Sequence, residues 1–111
     1  MKTFKIEDMH NGWFIGNFDP CVTKTKDVEV AHHFHEKGYK NDEGPHYHKK
    51  ATEVNYIING KVTVSGKQLT AGDIFVYEPR DISDVQFLSD TDLIVIKMPS
   101  CINDKFLINN E

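Results

Sequence analysis

Asn59-Gly60 separates two short runs of strand-forming residues, 52–58 and 61–64, and limits the folds open to this chain more than any other feature. A type I′ turn needs positive φ at both central residues, and Asn followed by Gly meets that need at little steric cost, so the dipeptide predicts a hairpin. Similar breaks recur at Asp19-Pro20, Ser65-Gly66, Ala71-Gly72-Asp73 and Glu78-Pro79. Proline lacks a ladder donor and glycine admits left-handed backbone, so each break ends a strand. The intervening pieces are short and rich in β-branched and aromatic residues, which suit a pleated, half-buried surface. Strands are predicted at 12–18, 28–34, 52–58, 61–64, 67–69 and 74–77, with 85–88 and 93–98 as a closing hairpin joined through 89–92. The tail, 102–108, reads as an irregular segment with an edge strand. No stretch has the period of an amphipathic helix, and neither a repeat nor a Gly/Ser/Pro linker divides the chain, so residues 1–111 are expected to form one all-β sandwich or barrel.

Thirteen basic residues stand against 17 acidic ones, a formal net charge of −4, with no dense Lys/Arg block. Phosphate backbones and anionic lipid surfaces are therefore not expected as partners. No apolar run approaches the roughly 18 residues that span a bilayer. The N-terminus carries Glu7 and Asp8 where a signal peptide has its apolar core, so a cytoplasmic location is expected. Cys21 and Cys101 lie far apart without Cys-x-x-Cys spacing and read as free thiols. A disulfide between them would need the first and last strands to be neighbours, and a reducing compartment would oppose it.

His46-Tyr47-His48 puts two imidazoles at i and i+2. On an extended strand both project from one face, where they can share a metal ion, while Tyr47 points away. Glu53, near the start of the following strand, can add a carboxylate oxygen. Two imidazole nitrogens and one carboxylate suit Fe, Mn, Ni or Zn as the divalent ion and leave coordination positions open. An isolated His-x-His pair is more often two polar residues on a solvated face. A second group, His32, His33 and His35, lies in the 28–34 strand and its margin; His33 and His35 share one face and His32 takes the other. If His33 and His35 face inward, each has a near-neutral pKa suited to moving a proton. Asn55 and Ile57 share parity with Glu53, and Phe75, Tyr77 and Phe87 are further lining candidates, Tyr77 with a hydroxyl that could serve in proton transfer. Trp13 and Phe14 fit either a cover over the barrel mouth or a dimer contact.

The spacing His46-x-His48, four residues, Glu53, six residues, Gly60 resembles the first motif of the cupin superfamily. That resemblance covers roughly residues 28–98 and implies a double-stranded β-helix, or jelly-roll barrel, with a divalent metal inside on His46, His48 and Glu53. Two departures stand out. Lys40 occupies the place of the glycine six residues before the first His, with Gly38 and Gly44 nearby. The second motif keeps Gly72-Asp73 and Pro79 but has Asp84 where the family carries its second-motif His, so the fourth ligand is either Asp84 or missing; Glu78 and Asp81 are rivals for that role. Cupins frequently pair through their sheets, so a homodimer is expected.

Three functions follow from such a site. A metal-dependent enzyme would act on a small polar molecule by moving a proton, as an isomerase, epimerase or lyase does. An Fe(II) dioxygenase would bind dioxygen at the open positions. A non-catalytic module would hold a sugar or another small molecule. Residues 12–16, 52–58 and 97–100 look like small stand-alone cupins found beside sugar-nucleotide and surface-polysaccharide genes, which implies a carbohydrate ligand by analogy of fold alone.

Overall fold

The computed structural model describes residues 1–40, 44–101 and 103–108. A 3-10 turn at Ile6–Asp8 precedes eleven strands: β1 (Trp13–Gly16), β2 (Thr23–Lys24), β3 (Glu29–His35), β4 (His46–Tyr47), β5 (Thr52–Asn59), β6 (Lys61–Val64), β7 (Lys67–Thr70), β8 (Ile74–Tyr77), β9 (Val85–Phe87), β10 (Thr91–Met98) and β11 (Phe106–Leu107). Six of them form one sheet in the order β2-β1-β3-β10-β5-β8, three form a second in the order β7-β6-β9, and β4 pairs with β11. The all-β double-stranded architecture expected from the sequence is present. Hydrogen bonding does not run continuously around it, so the two principal sheets keep their edges.

Burial follows the strand period of two. Along β5, Glu53, Asn55 and Ile57 are buried, and along β10, Thr91, Leu93 and Val95 are. Of these, Ile57, Leu93 and Val95 meet Ala31 of β3, Phe75 and Tyr77 of β8, and Val62 and Phe87 of the second sheet in one hydrophobic cluster. Burying side chains such as Ile57 and Val62 stabilises the fold by roughly 1.5–3 kcal/mol each. The opposite face of the large sheet is apolar yet open, with Tyr56, Ile58, Ile74 and Val76 all exposed. No helix among the described residues is long and apolar enough to cross a membrane.

Two connections differ from the sequence expectation. Asn59-Gly60 does not close a hairpin, because β5 pairs with β10 and β8 while β6 pairs with β7 and β9. Gly60 alone has positive φ, at 110°, and there the chain passes from one sheet to the other against Thr91. A Cβ at this position would close on the Thr91 hydroxyl and lie 2.6 Å from the Asp90 carbonyl. Glycine is thus required by a close approach, not by a tight turn. A two-residue turn with positive φ at both positions does close the next hairpin, at Ser65-Gly66 with 50° and 79°, which joins β6 to β7 in the register Val64↔Lys67. The proposed closing hairpin of 85–88 with 93–98 is also absent. Strand β9 pairs with β6, whereas β10 starts at Thr91 and runs between β3 and β5. Its alternation of buried and half-buried residues suits a central strand, so it takes long-range partners in preference to its sequence neighbour.

Cys21 and Cys101 are free, half-buried thiols. The edge strand expected in the tail is β11, and Ile102 at the start of that segment lies outside the described residues.

Gly60→Ala is expected to lower unfolding stability by about 2–3 kcal/mol, through both the clash and the strained φ. Gly66→Ala shares only the positive φ, with nothing within 4 Å of its Cβ, and should cost about 1 kcal/mol. Urea midpoints of the two variants check this order, and equal losses would contradict the crossing at Gly60.

Candidate metal and ligand site

One cavity of about 600 Å³ opens between the sheets, and it gathers most of the residues singled out above. His33 and His35 reach it from β3, His46 and His48 from β4 and the residue after it, and Glu53 and Asn55 from β5. Pleating explains the selection: on β3, His33 and His35 face the cavity, while His32 bonds Asp92 on the other side through Nε2 at 2.9 Å. Tyr47 points away from the cavity and stacks on Phe106 at 5.5 Å between ring centroids.

The segment after His48 has no ladder of its own, and the C-terminal tail fixes it. Asp104, 7% exposed, accepts hydrogen bonds from the backbone N–H groups of Lys49, Lys50 and Ala51 at 2.9–3.2 Å. Burial alone would raise its pKa. The three N–H donors together outweigh that and hold it below the usual carboxylate value. On its other side the His46–His48 segment is tied to residues 80–83. His46 and Ser83 exchange backbone bonds at 3.3 and 2.6 Å, and the Arg80 N–H donates to the His48 carbonyl at 2.6 Å.

The His46 and His48 rings stand 5.3 Å apart between centroids with their planes at 86°. Both imidazoles titrate below the ordinary histidine value, chiefly because burial penalises the cation, with Lys105 adding to the effect at His46 and Lys97 at His48. They therefore stand neutral at pH 7, the form that ligates metal. Nε2 of His48 is buried with no hydrogen-bond partner among the described residues. Glu53 is 8% exposed and accepts a hydrogen bond from Asn55 Nδ2 at 3.0 Å, which orients one oxygen and leaves the other available. A buried imidazole nitrogen with no partner, a second imidazole and an oriented carboxylate fit a divalent ion in donor type. Their spacing is open: among the described residues, no group of three or more His, Cys, Asp or Glu side chains is drawn together closely enough to hold an ion.

Asp84 also lines the cavity, on its exposed rim next to Ser83. The rival carboxylates, Glu78 and Asp81, do not line it. Asp81 accepts the Glu78 backbone N–H at 2.9 Å and so closes its own turn. Tyr77 belongs to the hydrophobic core and not to the cavity wall; burial pushes its hydroxyl pKa up. Trp13 is on the wall, edge-on to His33 at 5.4 Å. His35 stacks on Tyr39 at 4.2 Å and tilts against Phe87 at 4.8 Å.

Two residues that the sequence reading did not single out complete the site. Lys97 occupies the inward face of β10, two positions beyond Val95, so its parity with Leu93 and Val95 was the available signal. Asp104 had none, since its partners lie more than 50 residues away.

Burial pushes the His33 pKa down to about 4, helped by His35 and opposed by Glu53. Unfolded His33 takes up a proton near 6.5, whereas folded His33 does not until about 4. Protons therefore favour the unfolded chain across that window, and stability falls as pH drops from 6.5 to 4. His33 alone accounts for a loss on the order of 3 kcal/mol. His33→Gln should flatten the fall in urea stability between pH 7 and pH 4.5, and an unchanged slope would count against His33 as a buried neutral imidazole. Asp104→Ala should cost about 3 kcal/mol by stranding three N–H groups, and should also weaken any binding that depends on His48.

No protein-family model matches the chain, and no curated protein does. Solved structures do. An uncharacterized conserved protein with a double-stranded β-helix domain from Klebsiella pneumoniae aligns over 96% of this chain and 90% of its own, at 16% identity and a TM-score of 0.68. KdgF from Halomonas sp. aligns over 72% of this chain and 74% of its own, at 23% identity and a TM-score of 0.60. Pac13, a nucleoside dehydratase from Streptomyces, aligns over 76% of this chain and 70% of its own, at 11% identity and a TM-score of 0.61. At these identities the likeness shows the fold, a cupin-type double-stranded β-helix.

Proposed function

We propose that this cupin binds a divalent metal on His46, His48 and Glu53 and acts on a small polar molecule in the 600 Å³ cavity by transferring a proton, in the manner of an isomerase, epimerase or lyase. The observation that carries the reading is the convergence of these three donors, with the unpartnered Nε2 of His48, on one cavity that His33 and His35 also line. When bound, the metal supplies Lewis-acid polarisation of a substrate carbonyl or hydroxyl oxygen. The chain's own residues supply the rest. His33 and His35 both titrate below the ordinary value, chiefly through burial, so each is unprotonated at neutral pH and can accept a proton at a ring nitrogen. Asn55 holds the Glu53 carboxylate in place. Leu93, Val95 and Phe87 keep the floor apolar, which strengthens electrostatic interactions by excluding water. Pac13, of similar fold, is a nucleoside dehydratase, which agrees with proton-transfer chemistry in such a cavity. Asp84, on the rim, could add a fourth oxygen ligand.

A second reading has its own support. The open spacing of the donors suits a module that holds a sugar or similar molecule by hydrogen bonds and carries out no reaction.

Adding Zn(II), Mn(II), Fe(II) or Ni(II) to protein stripped with chelator should raise its melting temperature by several degrees, as expected for a ligand at about 100 times its Kd. His46→Ala and Glu53→Gln should each abolish the shift, and Asp84→Asn should reduce it if Asp84 ligates. No shift with any of the four ions would overturn the metal reading. Saturable sugar binding without metal and without turnover would support the module.

A further inference from the structure

Lys97 is the charged member of the inward face of β10, where Thr91, Leu93 and Val95 precede it. Its side chain is 20% exposed and lines the cavity. In register it lies between Glu29 of β3 and Glu53 of β5. Its Nζ is 3.7 Å from Glu29 Oε1 and 5.2 Å from the centre of the Trp13 ring. Glu29, which is not on the cavity wall, accepts the Ser100 hydroxyl at 2.8 Å with its other oxygen. This pairing steadies the ammonium from behind. At 3.7 Å it is too long for a good hydrogen bond, so an ammonium with three donors retains capacity toward the cavity. Desolvating a lysine is costly, and a single long ion pair is a weak structural reason for it. Lys40 and Lys105 line the same cavity, against Glu53 and Asp84. With a divalent ion on the His46, His48 and Glu53 set, the charged groups of the wall among the described residues sum to net positive even when Glu29 is counted.

We propose that the cavity takes a small molecule carrying a carboxylate, which Lys97 binds next to the metal donors while the Trp13 ring packs against the rest of the molecule. The proposal rests on the reading that this cavity is the site of action. A carboxylate fits better than a phosphate, because the anion must share Lys97 with two neighbouring glutamates and a dianion would be repelled more strongly.

Trp13 is the sole tryptophan, so its fluorescence reports on this cavity. Zn(II)-treated full-length protein is titrated with acetate, malonate and glucuronate, each against its neutral counterpart acetamide, malonamide or glucose. At least one acid should give a saturable change that its counterpart does not. Lys97→Met should weaken that binding by about tenfold or more, and Lys97→Arg should stay within about threefold of wild type. If Lys97→Met fails to fold, the double variant Lys97→Met/Glu29→Gln removes both charges of the pair and carries the test. The proposal is overturned if no acid binds, if neutral counterparts bind equally well, if inorganic phosphate binds more tightly than every acid, or if the lysine-free variant binds like wild type. A separate melting-temperature series with Zn(II) keeps the two readings apart. Lys97-dependent acid binding without a zinc shift supports this proposal and sinks the metal reading, and a zinc shift without acid binding does the reverse.

Discussion

The pleat of the large sheet is the constraint on which the rest of this protein depends. Strands β3, β5 and β10 lie side by side in antiparallel register, and on each of them alternate residues face inward. The same alternation that sends Ala31, Ile57, Leu93 and Val95 into the core sends His33, Glu53 and Lys97 into the cavity. Core and site are two parts of one face. A register slip of one residue would expose the core and turn every polar group of the site to the outside. The burial that stabilises the sheet thus also fixes which side chains meet, without a separate device to hold them.

His46 and His48 are an exception, because β4 is too short to be positioned by sheet burial. Three contacts from distant parts of the chain replace the missing ladder: the short pairing of β4 with β11, the backbone bonds to Ser83 and Arg80, and the Asp104 carboxylate that collects the N–H groups of residues 49–51. Asp104 is nearly inaccessible, and three backbone N–H groups converge on its charge. Residues 80–83 border His46 and His48 through backbone bonds, and Asp84 follows them onto the cavity rim.

Local signals in the sequence were reliable where local forces decide the outcome. Parity placed His33 and His35 together and His32 opposite, and His-x-His put two imidazoles on one cavity wall, because both follow from the geometry of an extended chain. Strand pairing was less legible. Asn59-Gly60 has ideal hairpin composition, yet the residue that matters there is Gly60, whose missing Cβ lets the chain cross Thr91, a contact more than 30 residues away in sequence. The 85–88 and 93–98 segments read as a hairpin for the same reason. The competing partners of β10, which are β3 and β5, lie far from it in sequence and win because they bury both of its edges. Turn chemistry says where a strand ends and not which sheet the next one joins. Lys97 escaped attention because an isolated lysine near the end of an apolar strand reads as its solvated end, and only the register with Glu29 and Glu53 reveals that it is inside.

That register has an electrostatic consequence. An ammonium placed between two glutamates on adjacent strands and above the Trp13 ring is held by several weak attractions, so no one of them fully satisfies it. One close carboxylate would take up the hydrogen-bonding capacity of Lys97, whereas the absence of both would raise the cost of burying it. The intermediate arrangement holds the lysine inside without saturating its donors. The nearby imidazoles, kept neutral by burial and by Lys97 itself, do not compete with it as cations. Lys97 and any ion held by His46, His48 and Glu53 thus border one cavity, where a bidentate anion would find both its partners, and Lys40 and Lys105 add positive charge to the same lining.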